Sequence, residues 1–389
     1  MKVHEYQSKR ILADFGVAIP RGRVATTAAE ARRVAEELAA PVVIKAQVHA
    51  GGRGKGGGIA LADTPQQAEE AASRIIGMTL VTPQTGAEGR LVRSVLVEEQ
   101  AKPERELYLS VIIDNAAGCP VVMASAAGGM EIEEVAAKSP ELIRRAQVDA
   151  AIGLQPFQAR QLAFALGLDG DVLRPAVQLM ASLYKAFIAC DCSLAEVNPL
   201  AVTPDRRVLA LDAKLNFDDN ALFRHPEIVD LRDKGEEDPL EVQAHELGIN
   251  NYVKLSGNIG CVVNGAGLAM STMDAIKLAG GEPANFLDIG TVNDVGRVVN
   301  AFKILTVDAN VKAILINIFG GMARVDVIAQ GVIDAQKEMK IDVPVVVRLA
   351  GTNVEDGERI LAKGGRDLIR AKGLGEAAEK AVAAAGGGS

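Results

Sequence analysis

Ile259-Gly260-Cys261-Val262-Val263-Asn264-Gly265-Ala266-Gly267 is a short apolar run that ends in a glycine-containing turn and leads into a helix-like stretch reaching about Leu278. The same plan recurs three times downstream. Residues 285–288 lead into Ile289-Gly290-Thr291-Val292-Asn293-Asp294, residues 313–317 into Ile318-Phe319-Gly320-Gly321-Met322, and residues 345–349 into Ala350-Gly351-Thr352-Asn353. Each is followed by a helical pattern. Continuous apolar strands are covered on both faces, and strand, glycine turn and helix in repetition read as a doubly wound parallel sheet. Ligands of such sheets sit at the carboxyl ends of the strands, where these turns lie and where helix N-termini offer free N–H groups to anions.

Upstream, residues 225–245 are dense in charge, carry the run Glu236-Glu237-Asp238 and are punctuated by Pro226 and Pro239. This composition suits an exposed linker or domain boundary. The expected division is 1–238, 239–385 and a flexible tail, 386–389, reading Gly386-Gly387-Gly388-Ser389.

The first half mixes strands and helices without a clean βαβ repeat, which suggests an α+β arrangement. Thr27 and Glu30 form a capping-box pattern ahead of Ala31, Val34, Ala35 and Leu38 on one helical face. A second helix starts with Thr64 as N-cap and Pro65 at its first position, and stops at Gly77. Residues 41–46, 91–98, 107–114, 121–124 and 208–212 are strand candidates.

At 389 residues the chain exceeds what one core usually organises. A net charge of −8 argues against a nucleic-acid surface, and the absence of Trp with only 3% aromatic residues argues against base-stacking platforms. Cys119, Cys190, Cys192 and Cys261 form no C-x-x-C pair, so reduced thiols are expected rather than a disulfide framework or zinc site. Residues 1–6 lack an apolar signal core and no 18-residue apolar run occurs, so a cytoplasmic protein without a membrane span is expected.

Four features bear on chemistry. Lys45 precedes Gly51-Gly52-Arg53-Gly54-Lys55-Gly56-Gly57-Gly58, where six glycines in eight positions let backbone N–H groups approach a polyphosphate. The run is not a P-loop, and a flexible surface hairpin is the alternative. Ala195-Glu196-Val197-Asn198-Pro199 and Leu211-Asp212-Ala213-Lys214 place a carboxylate and an amide oxygen on neighbouring strands, hard ligands suited to Mg²⁺; ordinary strand-end Asp and Asn are the alternative. Glu98, Glu99 and Glu106 could hold a ribose or an adenine amine, or could be solvated strand-end charge. Finally, His4, His49, His225 and His245 all precede the parallel-sheet half, and none lies near a Ser or Cys with a third partner.

His4-Glu5-Tyr6-Gln7, residues 45–54, Glu196-Val197-Asn198-Pro199, residues 218–223, residues 263–270, Gly281-Glu282-Pro283-Ala284-Asn285 and Asn317-Ile318-Phe319-Gly320-Gly321 are collinear motifs spread over nearly the whole chain. Together they resemble the β subunits of ADP-forming succinate–CoA ligases. The resemblance implies an N-terminal ATP-grasp (α+β) half followed by a flavodoxin-like, doubly wound parallel-sheet ligase domain. It implies that Lys45 and Gly52-Arg53-Gly54 bind ATP phosphates, that Glu98, the Ala101 backbone and Glu106 hold the nucleoside, and that Asn198 and Asp212 bind Mg²⁺. It further implies that Asn264 and Gly321-Met322-Ala323 contact the dicarboxylic acid, and that Glu196 stands beside the catalytic histidine of an α partner, which also carries the CoA site, in a heterodimer or heterotetramer. By the same resemblance ATP phosphorylates that histidine, the phosphoryl group passes to the acid, and CoA thiolate displaces phosphate from the acyl phosphate. Pro20 is similar to what ATP-preferring members carry. Two stretches depart from the family pattern: Gly290-Thr291-Val292-Asn293, where a run of glycines is usual, and Met322-Ala323-Arg324-Val325. Both lie in turns at strand ends where acid specificity would be set; residues 345–353 and 153–160 also resemble malate–CoA ligase β chains, so a malate–CoA ligase β subunit stands as the alternative, and a non-catalytic nucleotide-binding scaffold as a third reading.

Overall fold

The computed structural model describes residues 1–290, 294–364 and 367–386. The chain divides into two compact units, Met1–Glu236 and the part from Glu237 onward. Among the described residues no helix is long and apolar enough to cross a membrane.

The first unit contains two antiparallel sheets that carry its functional residues. In one, the strand order is Gly22–Ala25, Val95–Glu99, Val42–Ala46, Ile59–Ala62. Helices Ala28–Leu38 and Pro65–Ile75 pack against it through small residues, Ala31, Ala35, Ala68 and Ala72, which let backbones approach closely over Ile44 and Val97. Both helices start where the sequence indicates: the Thr27 and Thr64 hydroxyls accept the Glu30 and Gln67 N–H groups. The reciprocal half of the first capping box differs from expectation, because the Glu30 carboxylate accepts from the N–H and hydroxyl of Thr26.

The other sheet runs Val208–Ala210, Cys192–Val202, Arg105–Asp114, Cys119–Ser125, Ile143–Gln147, with Ala213–Phe217 also paired to Cys192–Val202. The helix Gly170–Ala189 buries Leu179, Met180, Leu183 and Phe187 in the same core as Leu107, Leu109 and Val197. Two strand expectations are corrected. Residues 91–98 are not one strand: Arg90–Leu91 pairs locally with Thr79–Leu80, and Val95–Glu99 enters the sheet separately. The strand expected over 208–212 ends at Ala210, because the Leu211 carbonyl leaves the ladder to accept from the Lys9 and Lys45 ammonium groups, each at 2.6 Å. The segment expected to be an exposed linker is folded into short helices, Pro226–Val229 and Pro239–Glu246, and Glu236 is buried.

In the second unit, Ile259–Val263, Ala313–Gly320, Val345–Gly351 and Leu368–Ala371 form a parallel sheet in that spatial order. Alternate side chains enter two cores. Ile259, Cys261, Val263, Leu315 and Val346 join Ala377, Ala378 and Ala381 on one face, and Val262, Ile314, Ile316 and Val347 join Phe302, Ile328 and Val332 on the other. Helices cover both faces, so the apolar runs lack alternation. One of the four repeats has no continuous ladder with the sheet: Asn285–Leu287 pairs antiparallel with Tyr252–Lys254, while parallel bridges at Pro283 and Asp288 and the Asn285 amide, bonded to the Cys261 N–H and carbonyl, tie it alongside Ile259–Val263.

Candidate functional site

Lys45, near the end of Val42–Ala46, and Arg53, in the glycine-rich turn, are 8% and 7% exposed. A buried cation is tolerated only with partners, and three carboxylates supply them. Glu5, on the N-terminal helix Glu5–Asp14, lies 2.6 Å from Arg53, 3.1 Å from Lys45 and 2.9 Å from Lys9. Glu98 lies 2.5 Å from Lys45 and 2.7 Å from Lys9. Asp212 lies 2.5 Å from the other terminal nitrogen of Arg53. Burial alone would push the Glu5 carboxyl up; Arg53, then Lys45 and Lys9, hold it well below the usual carboxylate range. Burial alone would lower Lys45 and Arg53; Glu5 and Glu98 for the first, Asp212 and Glu5 for the second, raise both above their ordinary values.

A cavity of about 480 Å³ opens over this cluster. Gly51, Gly52, Arg53, Gly54 and Lys55 line it from the turn, Glu196, Asn198 and Lys214 from the second sheet, and Asp212 from the bend between Val208–Ala210 and Ala213–Phe217. The turn is closed by short backbone bonds such as Gly58 N–H to the Arg53 carbonyl at 2.8 Å. It can lie flat because a Cβ on Gly56 would stand 2.6 Å from the Val81 carbonyl oxygen.

Glu196 and Asn198 share the strand Cys192–Val202, whose pairing with Arg105–Asp114 shifts register between Val197 and Leu200. Such an irregularity re-aims the side chains around it. The Asn198 side chain is held at both ends: its Oδ1 accepts the Gly129 N–H at 2.8 Å and its Nδ2 donates to the Met130 carbonyl at 2.9 Å. Glu196 accepts from the Tyr108 hydroxyl at 3.1 Å. Burial raises its carboxyl above the ordinary value, and Lys214 and the Tyr108 hydrogen bond offset part of that rise. Asn198 and Asp212 thus offer two hard oxygens to one cavity. That donor set fits Mg²⁺, which takes one or two protein oxygens and completes its shell with water and phosphate. Among the described residues no cluster of three or more His, Cys, Asp or Glu could hold a metal alone.

The remaining expected residues of this unit lie apart from the cavity lining. Lys45 and Glu98 stand behind it, inside the ion cluster. Ala101 is half-buried just after Val95–Glu99, and Glu106 is exposed, its carbonyl accepting the Gly128 N–H at 3.2 Å. Glu5, Lys9 and Tyr108 were given no role by sequence reasoning. A Glu and a Lys four apart at the start of a helix look like an ordinary surface pair; only their burial, at 3% side-chain exposure each, distinguishes them.

In the second unit, the Asn264 amide ties two turns together. Its Nδ2 donates to the Phe319 carbonyl and its Oδ1 accepts the Phe319 N–H, both at 2.9 Å. The adjacent Gly265 N–H donates to Asp288 at 2.5 Å. Met322 is 79% exposed, whereas Ala323 is fully buried, backbone included. Gly320 and Gly351 meet closely: a Cβ on Gly351, which has φ +94°, would stand 2.4 Å from the Gly320 carbonyl oxygen, which accepts the Thr352 N–H at 2.7 Å. The departure at Thr291-Val292-Asn293 lies outside the described residues.

Residues 2–202 match the ATP-grasp domain family and residues 262–382 the CoA-ligase family. Over 391 aligned residues, covering all of both chains, the sequence is 56% identical to the succinate–CoA ligase (ADP-forming) subunit β of Koribacter versatilis. It is 54% identical to the protein of the same name from Chloroherpeton thalassium, over 98% of each chain, and 55% identical to that of Anaeromyxobacter dehalogenans, over 99% of each. The fold is similar to that of ATP citrate lyase from Methanothrix soehngenii, solved with citrate and coenzyme A, with a TM-score of 0.72 at 17% identity over 98% of this chain and 99% of that one.

Proposed function

We propose, from the fact that the chain belongs to the family of ADP-forming succinate–CoA ligase β subunits, that it is the nucleotide-binding half of a ligase joining succinate to CoA at the expense of ATP. The observation that carries this reading is the convergence of Arg53, the Gly51–Gly54 backbone, Asn198 and Asp212 on one cavity of the ATP-grasp half. Arg53 and the glycine N–H groups bind phosphate oxygens. Lys45 adds positive charge from behind, Ala101 and Glu106 hold the nucleoside, and Glu98 joins that end through Lys45. Asn198 and Asp212 hold Mg²⁺, which when bound neutralises phosphate charge. Glu196, kept partly desolvated beside Tyr108 and Lys214, is the carboxylate presented to the histidine of the α partner.

In the second unit Asn264 and the exposed Gly321 and Met322 contact the acid, with the buried Ala323 seating the turn beneath them. Helix Val325–Glu338 begins just beyond them and offers its N-terminus to an anion. The α partner supplies the catalytic histidine and the CoA site in a heteromer, and the complex works in the cytoplasm.

The test is to mix the chain with a cognate α subunit, CoA and labelled ATP, and to assay acyl-CoA formed from succinate, malate and citrate. Succinyl-CoA as the principal product, dependent on the α subunit, is expected. Malate turnover equal to or above that of succinate would overturn the choice of acid. Nucleotide-dependent partner binding without phosphohistidine would make the chain a scaffold.

A further inference from the structure

We propose that Glu5 and Lys9 are positioning residues for the nucleotide phosphates: Glu5, at the cavity wall, fixes Arg53 and Lys45, and Lys9, behind it, balances the buried carboxylates, so that the cluster is one carboxylate short once Asp212 turns to a metal ion. The inference rests on the nucleotide-binding reading above and extends it to two residues of the N-terminal helix.

Three cations, Lys9, Lys45 and Arg53, face three carboxylates, Glu5, Glu98 and Asp212. Glu5 and Glu98 have side chains 3% and 2% exposed, whereas Asp212 is 35% exposed and lines the cavity. Asp212 is therefore the carboxylate free to leave. Its departure turns a balanced cluster into one with a surplus positive charge, on the side that faces the cavity. Arg53 is divided accordingly: one terminal nitrogen is anchored on Glu5 at 2.6 Å and on the Ala46 carbonyl at 3.1 Å, and the other, among the described residues, is held by Asp212. Release of Asp212 leaves that second nitrogen open to a phosphate oxygen while the first keeps the guanidinium in place.

Glu5 is, among the described residues, the one carboxylate that touches all three cations. Lys9 spends its ammonium on Glu5, Glu98 and the Leu211 carbonyl, which uses its three donors. It balances the charge of the buried carboxylates without reaching the cavity. Without Lys9, Lys45 and Arg53 would be needed to neutralise Glu5 and Glu98, and little of their charge would remain for a ligand.

The experiment uses the full chain assembled with its α partner and measures Mg–ATP affinity, the KM values for ATP, acid and CoA, and the melting temperature. The variants are Glu5→Gln, Glu5→Asp and the charge-balanced double variant Glu5→Gln/Lys9→Met. Misplacing a phosphate ligand by about an ångström costs on the order of 10-fold to 100-fold. We expect Glu5→Gln and Glu5→Asp to raise Kd and KM for Mg–ATP by about 10-fold or more, with KM for the acid and CoA unchanged. The double variant should recover melting temperature without recovering nucleotide affinity. Wild-type Mg–ATP affinity in the folded variants, or affinity that returns together with melting temperature in the double variant, would overturn the proposal. Absence of Mg–ATP binding by the wild-type complex would instead remove the nucleotide reading before any variant is compared.

Discussion

The Tyr108 hydroxyl donates to Glu196 at 3.1 Å, across two paired strands of the same sheet. The bond favours the ionised carboxylate and works against burial, which is the largest influence on Glu196 and pushes its carboxyl up. Tyr108→Phe should therefore raise that carboxyl further, because it removes a hydrogen bond that favours the charged form. The expected outcome is an acidic limb of kcat displaced to higher pH in the assembled enzyme, with KM for ATP unchanged. A pH profile superimposable on wild type would remove Glu196 from the rate-limiting step.

Asp212→Asn should split the nucleotide's dependence on metal. The variant loses an anionic oxygen suited to Mg²⁺ and also frees Arg53 from its 2.5 Å partner. Mg–ADP affinity at limiting Mg²⁺ should fall about 10-fold or more, while metal-free ADP, now facing an Arg53 that keeps Glu5 but has lost its second carboxylate, should bind at least as well as to wild type. Calorimetry with and without chelator reads both arms.

Acid should loosen the first unit through Glu5. Its carboxyl is held well below the ordinary 4.5, because Arg53, Lys45 and Lys9 outweigh its burial. The unfolded chain thus takes up this proton first as pH falls. The associated stability is fully present above about pH 4.5 and is lost progressively toward the lower folded value. Urea midpoints measured from pH 7 downward should drop below pH 4.5 in wild type, and the Glu5→Gln variant should be less stable at pH 7 and show a shallower drop.

Asn264→Ala should destabilise the second unit by about 1–3 kcal/mol, because the N–H and carbonyl of Phe319 lose their partners together. Asn264→Asp keeps the acceptor and loses the donor, and should fall between. Thermal melts of the assembled enzyme measure the cost, and acid KM shows whether the turn also contacts substrate.

The parallel-sheet unit was legible in the sequence because strands buried on both faces read as continuous apolar runs, and Ile259–Val263, Ala313–Gly320 and Val345–Gly351 do so. Asn285–Leu287 carries the same pattern and runs parallel to Ile259–Val263 at two flanking bridges, but its ladder is an antiparallel one with Tyr252–Lys254, and local apolarity does not encode which neighbour a strand pairs with. In the first unit residue type and spacing single out Lys45, Arg53, Asn198 and Asp212, and of these Arg53, Asn198 and Asp212 line one cavity while Lys45 stands behind it. Glu5 and Lys9 were not, since the contacts that bury them come from residues 40 to 200 positions away in the chain. Leu211 shows the same limit: a strand-like run ends early because two distant ammonium groups claim its carbonyl.

The close meeting of Gly320 and Gly351 bears on how selectivity in these turns can change over generations. Two backbones pressed together with no side chain between them cannot drift apart or lengthen separately, so insertions and larger residues at the seam are closed routes. What remains open is exchange of the outward-facing residue Met322 on a fixed frame. If Met322 contacts the acid as proposed, descendants of such a chain would acquire new acids by exchanging exposed side chains on an inherited scaffold, and not by redrawing the loop.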